Sequence, residues 1–155
     1  MVAAVGSARV FSSLDIEAGF HNIPICEDRI GWMAFATQDG LYEWLRMPFG
    51  PKGALAHFQR MVQISIEAVQ NGRILVYIND ILVTRDDPRE VWERTMDVLR
   101  ALAKAGFMIN IRKSKFCEPA TKIVGVHITR QMYSVIPKPV VRLFGTKPPR
   151  SYRQV

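Results

Sequence analysis

Cysteine is almost absent from this chain, with only Cys26 and Cys117 among 155 residues. Two thiols so far apart form neither a metal-ligand spacing nor a disulfide framework, which points to a reducing, intracellular compartment. Long apolar runs are missing as well. None approaches the roughly 18 residues that a membrane-spanning helix requires, so no membrane partner is expected. The opening MVAAVGSARV carries one Arg9 and too little apolar length for a signal or transit peptide. Internal repeats and low-complexity linkers are also lacking. Acidic residues are scarce: 14 Asp and Glu against 21 Lys and Arg leave a net charge of +7. That balance favours a polyanionic partner, nucleic acid above all, although a plain solvated basic surface would read the same way.

What is present suffices for one globular domain. The chain is 48% hydrophobic and 23% charged, long enough to bury a real core. Val10 to Ile16 reads as a strand running into Asp15. Met33 to Thr37 and Leu41 to Leu45 flank Gln38-Asp39-Gly40 as a hairpin, with Gly supplying positive φ. From Ala54 to Val69, apolar or small residues recur at Leu55, Phe58, Met61, Val62, Ser65 and Ile66, a helical period that stops before Asn71-Gly72. Arg73 to Val83 reads as a second hairpin. Pro88 opens a helix carried by Val91, Thr95, Val98, Leu99 and Leu102 and closed by Gly106. Phe107 to Ile111 and Thr121 to Thr129 read as strands. After Pro137 and Pro139 the chain turns irregular and basic. The order predicts an α+β fold, an antiparallel sheet with helices on one face.

The chemistry concentrates in VYINDILV, residues 76 to 83: an apolar strand, a polar turn at Asn79-Asp80 and a second apolar strand. A strand ending in Asp15 and a hairpin tipped with Asp80 can set two carboxylates side by side at one sheet edge. Two-metal phosphoryl transfer needs such a cluster, because divalent ions about 4 Å apart repel unless anionic oxygens surround them. Taken alone, Asn-Asp is also ordinary turn chemistry.

Five ordered segments extend the reading: FSSLDIEAGFHNIPI, YEWLRMPFGPKGALAHFQRM, VYINDILV, LAKAGFMINIRKSKF and KIVGVHITR. In order and spacing they resemble the reverse transcriptase domain of long-terminal-repeat retrotransposons of the Ty3/gypsy type. The resemblance implies a polymerase palm with partial fingers over residues 1–136 and the start of a thumb over the basic, Pro-rich 137–155. It further implies RNA-directed DNA synthesis, Mg2+, and RNA or an RNA/DNA hybrid as partner. By this resemblance Asp15 is the first metal-binding carboxylate, and Phe20 is the aromatic that excludes a ribose 2′-OH. Phe49 and Gly50 lie against the incoming nucleotide and template, and Gln59 lies on the helix beneath the primer–template. Tyr77 opens the YxDD motif, Lys113 and Lys115 form the basic stretch, and Gly125 belongs to the hairpin gripping the primer end.

Departures from the family pattern qualify the expectation. The YxDD motif reads Tyr77-Ile78-Asn79-Asp80, so an amide stands where a metal-binding carboxylate is implied. Metal is then left to Asp15 and Asp80, and transition-state stabilisation should fall steeply. Gly53-Ala54-Leu55 replaces Asn-Ala-Pro, Trp32 replaces a Lys, Ser114 replaces a Cys, and Met132 replaces a turn Gly. The chain also starts about ten residues before the first motif, which would omit the upstream fingers. Three readings follow. One is a catalytically impaired palm that binds RNA or sits in a ribonucleoprotein. Another is a polymerase fragment completed by other chains. The last is a protein–protein scaffold using Trp32, Tyr42 and Trp44. Other protein chains are expected as partners in every case.

Overall fold

The computed structural model describes residues 8–71, 73–129 and 133–135. Its centre is a four-stranded sheet built from β1 (Val10–Asp15), β4 (Ile74–Tyr77), β5 (Asp80–Arg85) and β6 (Lys115–Glu118), in the order β4-β5-β1-β6. Every pairing within it is antiparallel. Period-2 alternation sends neighbouring residues to opposite faces. Ile81 and Val83 of β5 therefore enter one apolar cluster, and Leu82 between them enters another.

The larger cluster lies under two helices, α1 (Ala54–Ser65) and α2 (Pro88–Lys104). Phe58, Val62 and Ile66 from the first region and Val98 and Leu102 from the second meet Leu14, Ile16, Ile74 and Phe107 there. The start of α2 follows from its sequence. Asp87 caps it by accepting the Arg89 N–H at 2.9 Å, and Pro88 occupies the first turn, where its missing N–H costs nothing. Gly106, at φ +84°, ends it in the left-handed region. On the other sheet face, Phe11, Leu82 and Ala8 pack with Ile128. That residue comes from a separate three-stranded sheet of β7 (Ala120–Ile123), β8 (Val126–Thr129) and β9 (Tyr133–Val135). A two-stranded hairpin, β2 (Ala34–Thr37) with β3 (Gly40–Glu43), stands apart with all its residues exposed. Among the described residues no helix is long and apolar enough to cross a membrane.

The α+β architecture is as expected, with helices on one face of an antiparallel sheet, and the β7–β9 layer covers part of the other. Several local expectations change. Phe107 to Ile111 is not a strand: only Ile109 makes a β-bridge, to Ile16, because residues 110–114 curl into a turn. Thr121 to Thr129 is two strands rather than one, broken by Val124 and Gly125 at φ +48° and +73°. Both residues of that turn adopt positive φ, which a type I′ hairpin requires and a Val disguises in sequence. The α-helix from Ala54 ends at Ser65 and continues only as a 3₁₀ turn over Glu67–Val69. Leu55 is exposed, and Ala54 takes the buried place beside it. The strand β6, rich in Lys and Glu, gives no alternating pattern and was not anticipated. Met132 and the thumb expected over 137–155 lie outside the described residues.

Candidate functional site

The candidate site lies at the edge of the main sheet where β1 ends and β5 begins. Their register pairs Asp15 directly with Asp80, and Tyr77 with Asp80 on the other side. Opposed residues of an antiparallel pair hold their Cβ atoms about 4.5–5.5 Å apart, so the two carboxylates repel at close range. The two-residue turn is Ile78-Asn79 rather than Asn79-Asp80, since Asp80 is already the first residue of β5. Ile78 carries the positive φ of the turn, +55°, an uncommon conformation for a β-branched side chain.

That turn is held from below by Gln59. Its Nε2 donates to the Val76 carbonyl at 2.9 Å, and its Oε1 accepts the Ile78 N–H at 2.6 Å. Gln70 similarly donates to the Ile74 carbonyl at 2.9 Å. Side-chain amides thus occupy main-chain groups along the outer edge of β4, where an unpaired strand edge would otherwise invite association. The Asn79 carbonyl accepts the Ile16 N–H at 2.8 Å, tying the tip to the end of β1.

The Asn79 side chain points its oxygen away from solvent, toward Gly19. Its Oδ1 is buried, has no hydrogen-bond donor, and lies against Gly19 where a β-carbon would collide with it and with the Phe58 ring. An orphaned buried acceptor of this kind costs about 1–3 kcal/mol. Gly19 is therefore required at its position by close approach, and no motif reading had singled it out.

The aromatic residues form a continuous series beside the tip. Phe58 contacts Phe20 at 5.2 Å between ring centroids, Phe20 contacts Phe49 at 5.0 Å, and Phe49 contacts His21 at 5.4 Å. His21 stacks on Trp44 at 5.8 Å, which leads on to Phe35 of β2 and then Tyr42 of β3. Phe20, on a 3₁₀ turn over Gly19–Asn22, is half-buried between the core and exposed Phe49. Gly50 follows at φ +111°.

A loop over residues 110–114 closes the site on the far side. The Asn110 N–H donates to the Asp15 carbonyl at 2.8 Å, and the Asp15 N–H donates to Ser114 Oγ at 3.1 Å. Ser114 Oγ in turn donates to the Asn110 carbonyl at 2.8 Å. Lys113 then reaches Asp15, with Nζ 3.6 Å from Oδ2. Asn110 and Ser114 were not among the site candidates. The available signal was Asn110 itself, whose side-chain carbonyl accepts the Lys113 N–H as turn-forming Asn residues do. Lys115 pairs with Ser13, two residues before Asp15, and Gly125 sits at the turn of the second sheet layer.

Burial lifts the Asp80 carboxyl above its ordinary value of 3.8; the Asp15 charge adds to this and Lys113 opposes it. The folded chain accordingly holds the Asp80 proton more tightly than the unfolded one. The stability this group contributes is present below its unfolded value and lost as pH rises through the raised folded value. Asp80→Asn is expected to raise the melting temperature at neutral pH, with the gap to the parent closing as pH falls toward about 4. Melts across that range check this, and a gap independent of pH would count against it.

This donor set does not fit the pair of Mg2+ ions that the family resemblance implies. Two carboxylates remain, one already engaged by an ammonium, and the amide oxygen that could have joined them is sealed against Gly19. Among the described residues no group of three or more His, Cys, Asp or Glu is placed to hold a metal.

Comparison with known proteins agrees with the fold. A family model described as reverse transcriptase (RNA-dependent DNA polymerase) matches residues 1–128. The chain is 36% identical over 154 residues to the retrovirus-related Pol polyprotein from transposon opus of Drosophila melanogaster, covering 99% of this chain and 15% of that protein. It is 25% identical over 155 residues to the transposon Tf2-3 polyprotein of Schizosaccharomyces pombe, covering all of this chain and 12% of that one. It thus spans a small part of the length of its curated relatives. The foamy viral protease–reverse transcriptase dRH solved with double-stranded DNA superposes with a TM-score of 0.83 at 21% identity, over 99% of this chain and 27% of that one. The native prototype foamy virus protease–reverse transcriptase gives 0.73 at 27% identity, over 86% and 18%.

Proposed function

This chain belongs to the reverse transcriptase (RNA-dependent DNA polymerase) family, and from that premise we propose that it is a retroelement-derived palm that binds RNA or an RNA/DNA hybrid, within a ribonucleoprotein, with its polymerase chemistry impaired. The observation that carries this reading is the state of the hairpin tip. Asp15 and Asp80 are paired at the sheet edge, while Asn79 brings no charge and turns its oxygen into the core. Nucleic-acid affinity does not depend on that tip. A net charge of +7 supplies phosphate contacts by counterion release, which requires no divalent ion. Relatives of known structure have been captured with double-stranded DNA and with an RNA/DNA hybrid, which favours the same class of ligand here. An intracellular, reducing setting goes with this reading, since Cys26 and Cys117 are both free thiols.

A filter-binding titration with structured RNA in EDTA tests it. Affinity is expected to fall at least tenfold between about 50 and 200 mM salt, as for any ligand held by several phosphate contacts. Absent or salt-independent binding would overturn the proposal. It would also move weight to a second reading, a protein-docking role. That role is favoured by the β2–β3 hairpin, exposed on both faces, and by Trp32, Leu41 and Phe49 at 76%, 73% and 70% exposure.

A further inference from the structure

We propose that Lys113 is an internal counter-cation, occupying electrostatically the place that a divalent ion would take at the Asp15–Asp80 pair. Two like charges set directly opposite across an antiparallel pair are unfavourable and call for a positive charge nearby. The chain supplies one of its own. Lys113 Nζ lies 3.6 Å from Asp15 Oδ2, the only ion pair that a cluster carboxylate makes among the described residues.

A lysine on a mobile surface loop would meet a carboxylate only in passing, and exposed pairs of that kind are worth little. This loop is tied down. Both main-chain groups of Asp15 are bonded to it, its N–H to Ser114 Oγ and its carbonyl to the Asn110 N–H. Ser114 Oγ then closes back on the Asn110 carbonyl, and the Lys113 N–H is held by both oxygens of Asn110 at 3.2 Å. The root of the Lys113 side chain is therefore fixed to the residue whose charge it faces. Asp80 faces Asp15 directly across the strand pair, which sets the largely exposed ammonium near the second acid as well.

The inference differs from the function proposed above and does not require it. RNA binding could fail while Lys113 still balances the pair, and the reverse also holds. Its consequence is competition: the ammonium and a divalent cation claim the same carboxylates, so removing one should improve the site for the other.

The test is Mn2+ binding to the full chain, followed by electron paramagnetic resonance of the free ion. Lys113→Gln is expected to bind Mn2+ roughly tenfold more tightly than the parent, a gain that lies between the limits set by bulk water and by a protein surface for a unit charge a few ångströms away. Lys113→Arg, which keeps the charge, should bind like the parent. Adding Asp15→Asn to Lys113→Gln should abolish the gain. Equal Mn2+ affinity in the parent and Lys113→Gln would overturn the inference, as would a gain that survives Asp15→Asn. Lys113→Gln that folds only when Mn2+ is supplied would support it; failure to fold with or without Mn2+ would overturn it.

Discussion

Asn79→Asp is expected to lower the melting temperature in EDTA by about 6–12 °C, although it restores the family's own residue. The reason is where the Asn79 side chain sits. Its oxygen is buried against Gly19 and the Phe58 ring with no donor in reach. A neutral amide tolerates that position at modest cost, but a carboxylate there becomes a buried charge without a partner, worth about 3 kcal/mol or more. Asp80 and Asp15 next to it add repulsion rather than relief. Turning the new carboxylate outward would free it, and a divalent cation would reward that movement by mass action, about 2.7 kcal/mol at a hundredfold excess over its dissociation constant. Mg2+ should therefore recover most of the lost stability in Asn79→Asp while leaving the parent nearly unchanged. Thermal melts of both proteins in EDTA and in Mg2+ read the difference. A variant as stable as the parent without metal, or one indifferent to Mg2+, would show that Asn79 is not sealed in as described.

Phe58→Ala should cost about 3–5 kcal/mol, the range for emptying a fully buried aromatic site. Phe58 is 0% exposed and touches rings on both sides, Phe107 at 6.0 Å and Phe20 at 5.2 Å. It also forms one wall of the Gly19 contact that positions Asn79. Phe20 in turn supports Phe49, and through His21 the series reaches Trp44. The effect should thus appear twice: as a lower urea midpoint with an unchanged slope, and as altered tryptophan emission before the main transition. A loss below about 1 kcal/mol would mean that the site collapses around the cavity and that the rings do not act as a connected support.

How much of this could be read from residues alone depended on whether the signal was periodic or contextual. The helix from Pro88 was legible because proline, an aspartate cap, a regular apolar face and a closing glycine all agree. The pairing of Asp15 with Asp80 was legible because a strand and a hairpin, each ending in Asp, have few ways to meet in one sheet. The turn itself was misplaced by one residue. Asn and Asp are the usual turn formers, and nothing local says that Ile78 will take the positive φ. The β7–β8 turn was hidden from the local pattern in the same way, by Val124, and only the family resemblance placed Gly125 in a hairpin. Neither the inward direction of the Asn79 oxygen nor the Lys113 contact could be derived from sequence, since each depends on what lies across the fold: Gly19 and Phe58 for one, the Asn110–Ser114 loop for the other. The substitution at 79 was visible; its burial was not. That burial changes its meaning, from a weakened metal ligand to an amide whose oxygen is held against Gly19.

The proposed state is that of a polymerase palm whose acidic edge is balanced by Lys113 and whose metal centre is lost. Primer extension on an RNA template with Mg2+ tests that claim most directly, using the parent chain and Asp15→Ala side by side. The expected result is no incorporation above background by either protein, in preparations that still bind the primer–template. Incorporation by the parent that disappears in Asp15→Ala would contradict it.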